Sequence, residues 1–270
     1  MGQYPNGMMG FGPLNFQYCE DPMKELSQSN GTITRQEIEI FEAISGCETQ
    51  NKYQIFIQSP MGIKFAFQSN ESNEKSGSCS RCCCSNDCRG LKIEIKHISS
   101  PAEYDADFAK VYIKAKKPCA LGCCCLCRIQ IRVKLKEGKK YLGKVREPFT
   151  CCDRNAEVYD EKGNLKYRIV GDICQMGFCC RSSAEKWVEI EFVIKQNGQK
   201  VGLMKKITSS YGEYFTKADS YKIIFIPNAI LEEKMLLIVA GLLIDYQNFE
   251  KSETPQNNRR NEIYKSYFSE

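Results

Sequence analysis

The side chains with the most chemical potential in this sequence are its cysteines, which occur in runs instead of at separated positions. The chain has 17 cysteines, and the densest run comprises Cys119, Cys123, Cys124, Cys125 and Cys127. Adjacent cysteines rarely satisfy the geometry of a disulfide with each other, so this pattern is not typical of a disulfide-stapled secreted domain. We therefore expect reduced thiols, as in the cytosol, and a protein that is not secreted.

Zinc binding is one chemistry that thiols in this pattern could serve. The spacing of Cys79, Cys82, Cys84 and Cys88 is similar to that of zinc ligands. A structural zinc site needs four ligands, and His97 is the only histidine in the chain. Zinc and free thiols both stay open for this group, and zinc is the weaker prediction for the denser run.

No pattern of residues in the sequence indicates an enzyme. The chain contains no glycine-rich nucleotide-binding motif, no metalloprotease motif and no nucleophile elbow. Its single histidine gives no support for a Cys-His or Ser-His relay, and we predict that His97 lies on the surface of a strand. Lysine and arginine (38) slightly exceed aspartate and glutamate (33), an excess that suits an anionic membrane surface and does not mark a nucleic-acid-binding protein.

Alternation of apolar and polar residues predicts β-strands along most of the chain. Leu91, Ile93 and Ile95 alternate with charged residues, and residues 129–135 show the same pattern. Similar patterns predict strands at Ile38–Ala43, Tyr53–Ile57, Lys110–Lys114, Leu165–Val170, Val188–Ile194, Val201–Lys205 and Tyr221–Ile226. Each strand should therefore have one apolar face and one polar face.

The predicted strands are separated by sequences typical of tight turns. Glu137-Gly138, Lys162-Gly163-Asn164 and Asn197-Gly198 all contain glycine, and Asn-Gly accepts the positive φ angles of a two-residue hairpin. Consecutive strands should therefore pair antiparallel. Such a sheet hides its edges and its apolar face by closing into a barrel or by packing on a second sheet, and periodicity leaves both open.

One segment near the C-terminus departs from the strand pattern. The run from Met235 to Ile244 is apolar over 10 residues, and Asn228 is a candidate cap for a helix within Pro227–Glu250. A helix that is apolar on every side must be buried in protein or in lipid. Crossing a bilayer takes about 20 residues, so we favour burial inside the protein. The residues predicted to be buried are Met235, Leu236, Leu237, Ile238, Val239, Leu242, Leu243 and Ile244.

Five stretches of this sequence, in order, resemble those of the phospholipid scramblase family. Together they cover most of the chain, from Gln36 to Glu250. They are Cys47–Tyr53, the cysteines near Cys82, Lys117–Cys119 leading into Cys123–Cys127, Phe215–Asp219, and Leu243–Tyr246 closing on Phe249–Glu250. Ordered matches at family spacing are a more specific signal than any single motif.

The resemblance implies a mainly β fold of the tubby-like (LURP-one-like) superfamily. In that fold a closed antiparallel barrel of about twelve strands encloses a central hydrophobic C-terminal helix, in agreement with the burial argument above. The expected organisation is a flexible lead segment rich in Gly, Asn, Pro and Met at 1–30, a barrel domain at 31–250 and a polar tail at 251–270.

The resemblance also implies a site of lipid attachment, because the corresponding cysteine run is S-palmitoylated in the family. The expected acylated residues are Cys119, Cys123, Cys124, Cys125 and Cys127. One acyl chain holds a membrane weakly, whereas several chains, or one chain beside a basic patch, hold it stably. The predicted membrane-facing cations just before the run are Lys114, Lys116 and Lys117. The expected location is the cytoplasmic face of a membrane, such as the plasma or ciliary membrane.

Calcium is a further ligand that the resemblance implies, through an acidic segment before the C-terminal helix. This chain keeps Asp219, Tyr221 and Ile223 of that segment but has Lys217 and Asn228 where the outer carboxylates are expected. Calcium takes six or more oxygen ligands, several of them anionic, and a lysine repels the ion. We therefore expect weak calcium binding or none.

The function that the resemblance implies is bidirectional, ATP-independent movement of phospholipids between the leaflets of a membrane. The sequence does not indicate a polar path for a lipid head group, so two other hypotheses stay open. In the first, the protein is a palmitoylated adaptor that does not transport lipid. In the second, it is a structural subunit that contacts protein partners through its terminal segments. Nucleic acid is not an expected partner, because the basic stretch of the family is reduced here to Lys205 and Lys206.

Overall fold

In a computed structural model, the chain forms a closed barrel of twelve antiparallel strands around a C-terminal helix. Strands that follow each other in sequence are neighbours in the barrel, and pairing of the first strand with the last closes it. The mainly β, barrel-forming fold predicted from the sequence is therefore confirmed. The structure describes residues 17–37, 52–60, 62–72, 91–104, 106, 109–117, 129–150, 154–172, 174–175, 190–207 and 220–248.

The strands are numbered in chain order. They are β1 (Gly31–Glu37), β2 (Lys52–Ser59), β3 (Gly62–Ser72), β4 (Leu91–His97), β5 (Val111–Lys117), β6 (Gln130–Leu135), β7 (Tyr141–Arg146), β8 (Arg154–Tyr159), β9 (Leu165–Gly171), β10 (Ile190–Gln196), β11 (Gln199–Ile207) and β12 (Ser220–Ile224). The helices are α1 (Pro22–Gln28) and α2 (Leu231–Asn248), and single 3-10 turns lie at Pro101–Glu103 and Glu137–Lys139.

Most of the strands predicted from alternation are present with shifted ends. The predictions that correspond to β2, β4, β5, β6, β9, β10, β11 and β12 are confirmed. The sequence did not predict β1, β3, β7 or β8, whose alternation is weak or interrupted. The strand predicted at Ile38–Ala43 lies outside the described residues.

The turn chemistry predicted from glycine positions is also present. Asn197 and Gly198 have φ angles of 50° and 82° in the tight hairpin between β10 and β11, and Gly138 and Gly163 also have positive φ. Gly143 has a further role, because a Cβ there would lie 2.1 Å from the carbonyl oxygen of Tyr159. Only glycine therefore allows β7 to approach β8 this closely.

Register shifts occur in five strand pairs, namely β2–β3, β4–β5, β6–β7, β8–β9 and β10–β11. Such irregularities bend and twist a sheet, which a barrel needs in order to close. They also change which face a side chain occupies. At the irregularity after Ile55, Phe67 packs in the main core whereas Phe56 and Phe65 form a separate cluster.

Helix α2 is enclosed by the barrel and packs against β6, β7, β8 and β12. The eight residues predicted to be buried are each 3% exposed or less. The expectation of a helix buried in protein is therefore confirmed. Within the described ranges, no helix has the length and apolar character needed to cross a membrane.

The start of α2 differs from the prediction. Asn228 does not cap the helix, because it lies in a turn with a φ of 64°, three residues before the first helical residue. The backbone N–H of Ile230 instead donates to the carboxylate of Glu233 at 3.3 Å. This contact is one half of a capping box, in which an acidic side chain in the first turn satisfies a backbone donor.

Residues 17–30 are packed on the barrel, which the prediction of a lead segment did not anticipate. The Asp21 carboxylate accepts a hydrogen bond from the Lys24 backbone N–H (3.1 Å), and Pro22 is the first residue of α1. Backbone hydrogen bonds of 2.9 Å join Phe65 of β3 to both Gln17 and Cys19. Residues 1–16 and the predicted tail at 251–270 lie outside the described residues.

Replacing a core residue of α2 should destabilise the whole barrel. Leu237 is fully buried, so Leu237→Ala should lower the free energy of unfolding in urea by about 2–5 kcal/mol. Leu165 is 41% exposed at the start of β9, so the matched variant Leu165→Ala should lower it by less than about 0.5 kcal/mol. Equal losses in the two variants would contradict the enclosure of α2.

Candidate functional site

The predicted membrane-facing lysines lie on two different faces of β5. Lys114 and Lys116 are on the outer face, whereas Lys117 is 1% exposed and lies inside. Lys117 has the same strand parity as the buried residues Ile113 and Ala115, which explains its direction. The prediction that Lys117 faces a membrane is therefore wrong.

Polar groups meet inside the barrel near the C-terminal end of α2. The hydroxyl of Tyr53 on β2 donates to the Oδ2 atom of Asp245 at 2.7 Å, and Asp245 is 3% exposed. The ammonium of Lys117 lies 5.6 Å from the ring centroid of Tyr246, within the range of a cation–π contact. Asp245, which ends the apolar run, is thus held by a hydrogen bond that offsets the cost of its burial.

A buried lysine holds the first turn of α2 against α1. The Nζ atom of Lys234 donates to the carbonyl oxygens of Leu26, Ser27 and Ser29 at 3.1, 2.7 and 2.8 Å. These carbonyls belong to the C-terminal end of α1, where a cation is favoured by the helix dipole. Burial lowers the pKa of Lys234. The ammonium therefore fixes α1 across the start of α2.

His97 is buried, so the prediction of a surface strand residue is wrong. Its Nε2 atom lies 2.7 Å from the carbonyl oxygen of Cys19, which makes that nitrogen the donor. Its ring also packs edge-on against Tyr112 with 5.8 Å between ring centroids. Burial raises the pKa of the Cys19 thiol to about 11, with a further contribution from Glu25. Neither group is therefore arranged as a base or a nucleophile.

The outer face of β4 and β5 carries one carboxylate between two lysines. Glu94 lies 2.8 Å from the Nζ atom of Lys114 and 3.3 Å from that of Lys92. Burial opposes ionisation of Glu94, but hydrogen bonds from the two ammonium groups outweigh it and hold its pKa below the ordinary value. Glu94 is therefore a charged part of this surface at neutral pH.

A second charge cluster, which sequence analysis missed, lies on β7, β8 and β9. The Glu157 carboxylate accepts hydrogen bonds from Arg146 (2.8 Å) and from the Tyr159 hydroxyl (2.6 Å), and it lies 3.3 Å from Arg168. Burial opposes ionisation of Glu157, but these hydrogen bonds and positive charges hold its pKa below the ordinary value. Burial of the Tyr159 hydroxyl and its hydrogen bond to the Glu157 carboxylate raise the pKa of Tyr159. Only the strand register brings these residues together, so no local sequence signal indicated them.

Several predicted site residues lie outside the described part of the chain. They are the cysteines Cys119, Cys123, Cys124, Cys125 and Cys127, the cysteines Cys79, Cys82, Cys84 and Cys88, and the calcium candidate Asp219. Acylation, zinc binding and calcium binding at these positions therefore stay predictions. Among the residues that are described, no three His, Cys, Asp or Glu side chains are arranged to hold a metal ion.

Comparison with known proteins identifies the family of this barrel. Residues 11–251 match the family model described as Scramblase. The chain is 27% identical to phospholipid scramblase 1 of Homo sapiens over 247 residues, which are 89% of this chain and 68% of that protein. It is 26% identical to phospholipid scramblase 2 of Bos taurus, over 88% of this chain and 73% of that protein. The chain therefore belongs to the scramblase family.

The similarity leaves part of each relative unmatched. The match to phospholipid scramblase 1 of Rattus norvegicus, for example, covers 87% of this chain and 64% of that protein at 25% identity. The chain thus spans about two thirds of the length of the curated type 1 relatives that it matches. No solved structure matches the chain at a significant level.

The charge cluster around Glu157 should make stability depend on acid pH. Because its pKa is lower in the folded protein than the ordinary 4.5, its ionisation stabilises the fold above that pH, and the stabilisation is lost as the pH falls through the folded-state pKa. Glu157→Gln should therefore lower the free energy of unfolding at pH 7 by about 1–3 kcal/mol, and the difference from wild type should shrink below pH 4.5.

Urea unfolding between pH 3 and pH 7 measures this dependence. Glu161→Gln is the matched control, because it removes the same charge from an exposed turn between β8 and β9. It should leave the profile close to that of wild type. A Glu157→Gln profile that runs parallel to wild type across the whole range would contradict the assigned role.

Proposed function

We propose that this protein is a membrane-associated barrel that moves phospholipids between the two leaflets of a bilayer, in both directions and without ATP. The observation that carries the proposal is the match of residues 11–251 to the Scramblase family model. The curated relatives are named phospholipid scramblases and align with nearly nine tenths of this chain. The closed barrel around α2 is the expected fold of such a protein.

The proposed attachment to the membrane combines acyl chains with cations. Thioester-linked fatty acids on the Cys119–Cys127 run supply the first signal, and the outward-facing Lys114 and Lys116 supply the second. The acylated run follows Lys116 by only three residues, so both signals act at one place on the protein. We propose that these two signals together hold the barrel at the cytoplasmic face of a membrane.

Calcium and zinc are not assigned a role in the proposed activity. Asp219 is the one candidate ligand of the acidic segment, while Lys217 and Asn228 replace two carboxylates. A hard divalent cation needs several anionic oxygens, so we propose that calcium binds weakly or not at all. The activity should then be unchanged by a calcium chelator.

A palmitoylated adaptor is the second candidate function, and the packing of α2 favours it. The apolar side chains of α2 occupy the core of the barrel, and their removal into lipid would leave the inward faces of the strands without cover. An adaptor can function while α2 stays inside the barrel. The adaptor would carry membrane-bound partners on its outer surface or through its terminal segments, as a subunit of a larger assembly.

Reconstitution separates the two candidates. Full-length, acylated protein in liposomes should expose inner-leaflet fluorescent phospholipid to dithionite, which bleaches only the outer leaflet in protein-free vesicles. The variant Cys123→Ala, Cys124→Ala, Cys125→Ala should have lower activity because it lacks three attachment sites for acyl chains and is held less tightly at the membrane, and hydroxylamine treatment of wild type should lower the activity in the same way. Activity should be the same in calcium and in chelator.

The scrambling proposal and the acylation proposal are each contradicted by a different result of this experiment. If wild-type protein is bound to the vesicles and the inner-leaflet label stays protected, the scrambling proposal fails and the adaptor remains. If the cysteine variant is as active and as tightly bound as wild type, the acylation proposal fails independently.

A further inference from the structure

The outer wall of the barrel formed by β4 to β7 carries cations in direct register. Lys92 on β4 is opposite Lys116 on β5, Lys116 is opposite Arg132 on β6, and Arg132 is opposite Lys144 on β7. We call these four residues the basic row. Lys116 and Arg132 are exposed, and Lys92 and Lys144 are partly exposed.

We propose that the basic row is a binding surface for the anionic head groups of a phospholipid membrane, and that it sets which wall of the barrel faces the bilayer. The inference rests on the proposed membrane function and names the surface and the lipid class that serve it. It does not require the protein to move lipid.

The register of the row argues for an anionic ligand. Directly opposite side chains on neighbouring strands have Cβ atoms about 4.5–5.5 Å apart, and like charges in that position are destabilising. Four cations across four strands therefore repel one another in the isolated protein. A ligand that presents several negative charges along the row relieves this repulsion, whereas a single small anion reaches only part of it.

The strands that carry the row contain more cationic than acidic residues. Lys114 and Lys134 form a second directly opposed pair beside it. In β4 to β7, Glu94 is the sole acidic residue, and it is shared between Lys92 and Lys114. The residues of these four strands therefore contribute a net positive charge to the wall.

The position of the row favours a membrane over other anionic partners. The row crosses the ends of β5 and β6 that the cysteine run connects, and Cys119 is three residues after Lys116. Three residues span at most about 11 Å, so an acyl chain on Cys119 enters a bilayer beside the row. Each lysine or arginine close to an anionic leaflet contributes about 1 kcal/mol to binding.

Vesicle binding by non-acylated full-length protein from bacteria tests the surface without the lipid anchor. Wild type should bind vesicles of phosphatidylcholine with phosphatidylserine in a salt-sensitive manner and should not bind phosphatidylcholine alone. The row variant Lys116→Glu, Arg132→Glu, Lys144→Glu should bind the anionic vesicles about a hundredfold more weakly. The single variant Arg132→Gln, which removes one repelling charge, should fold normally and bind severalfold more weakly.

A matched control lies on the opposite wall, where β10 to β12 are farthest from β5 and β6 in the barrel order. Lys195→Glu, Lys200→Glu, Lys222→Glu makes the same change in net charge, and Lys195 and Lys200 are also directly opposed cations. This variant should bind anionic vesicles within about threefold of wild type, because its charges face away from the membrane.

Three results would overturn the inference. They are equal binding by the row variant and wild type, equal losses in the row variant and the control, and row-dependent binding of a DNA duplex that is tighter than binding to anionic vesicles. The assay measures no lipid movement, so its result is separate from that of the reconstitution. If vesicle binding depends on the row but the protein does not move lipid, the inference about this surface stands and the proposed function is wrong.

Discussion

The structure depends on the mutual burial of α2 and the inward faces of the strands. A helix that is apolar on every side needs a complete apolar cover, and a closed barrel of this size needs a core to fill it. The twelve strands supply alternating apolar side chains, and the run from Met235 to Ile244 supplies the filling. Neither part is stable without the other, because the exposed strands or the exposed helix would place a large apolar area in water.

Each end of α2 carries a buried polar side chain that contacts another element of the structure. At the first turn of α2, the ammonium of Lys234 holds the carbonyl groups at the end of α1. At the last turns, Asp245 is bound by the hydroxyl of Tyr53. The core therefore has a fixed position along the barrel axis, and the charged residues that can meet a partner lie on the outer walls. This separation is why we assign the membrane contact to the outside of β4 to β7 and not to α2.

The sequence was sufficient for the features that depend on local pattern and insufficient for those that depend on register. Alternation, Asn197-Gly198 and the apolar run predicted paired strands, a tight hairpin and a buried helix. Lys117 and His97 were predicted to be exposed on the basis of their residue types. Their positions in the alternation indicate burial instead, because each shares the parity of the buried residues before it. The cluster around Glu157 and the basic row exist only through pairing between strands, so a single sequence could not reveal either.

Hydrogen–deuterium exchange of the backbone amides of α2, with and without anionic vesicles, tests the enclosure of the helix most directly. Our account predicts that these amides exchange only with global unfolding, and that vesicles leave their protection unchanged while slowing exchange in β4 to β7. Amides of α2 that exchange rapidly in solution, or that change their protection when lipid is added while the strands lose theirs, would show that the helix leaves the barrel.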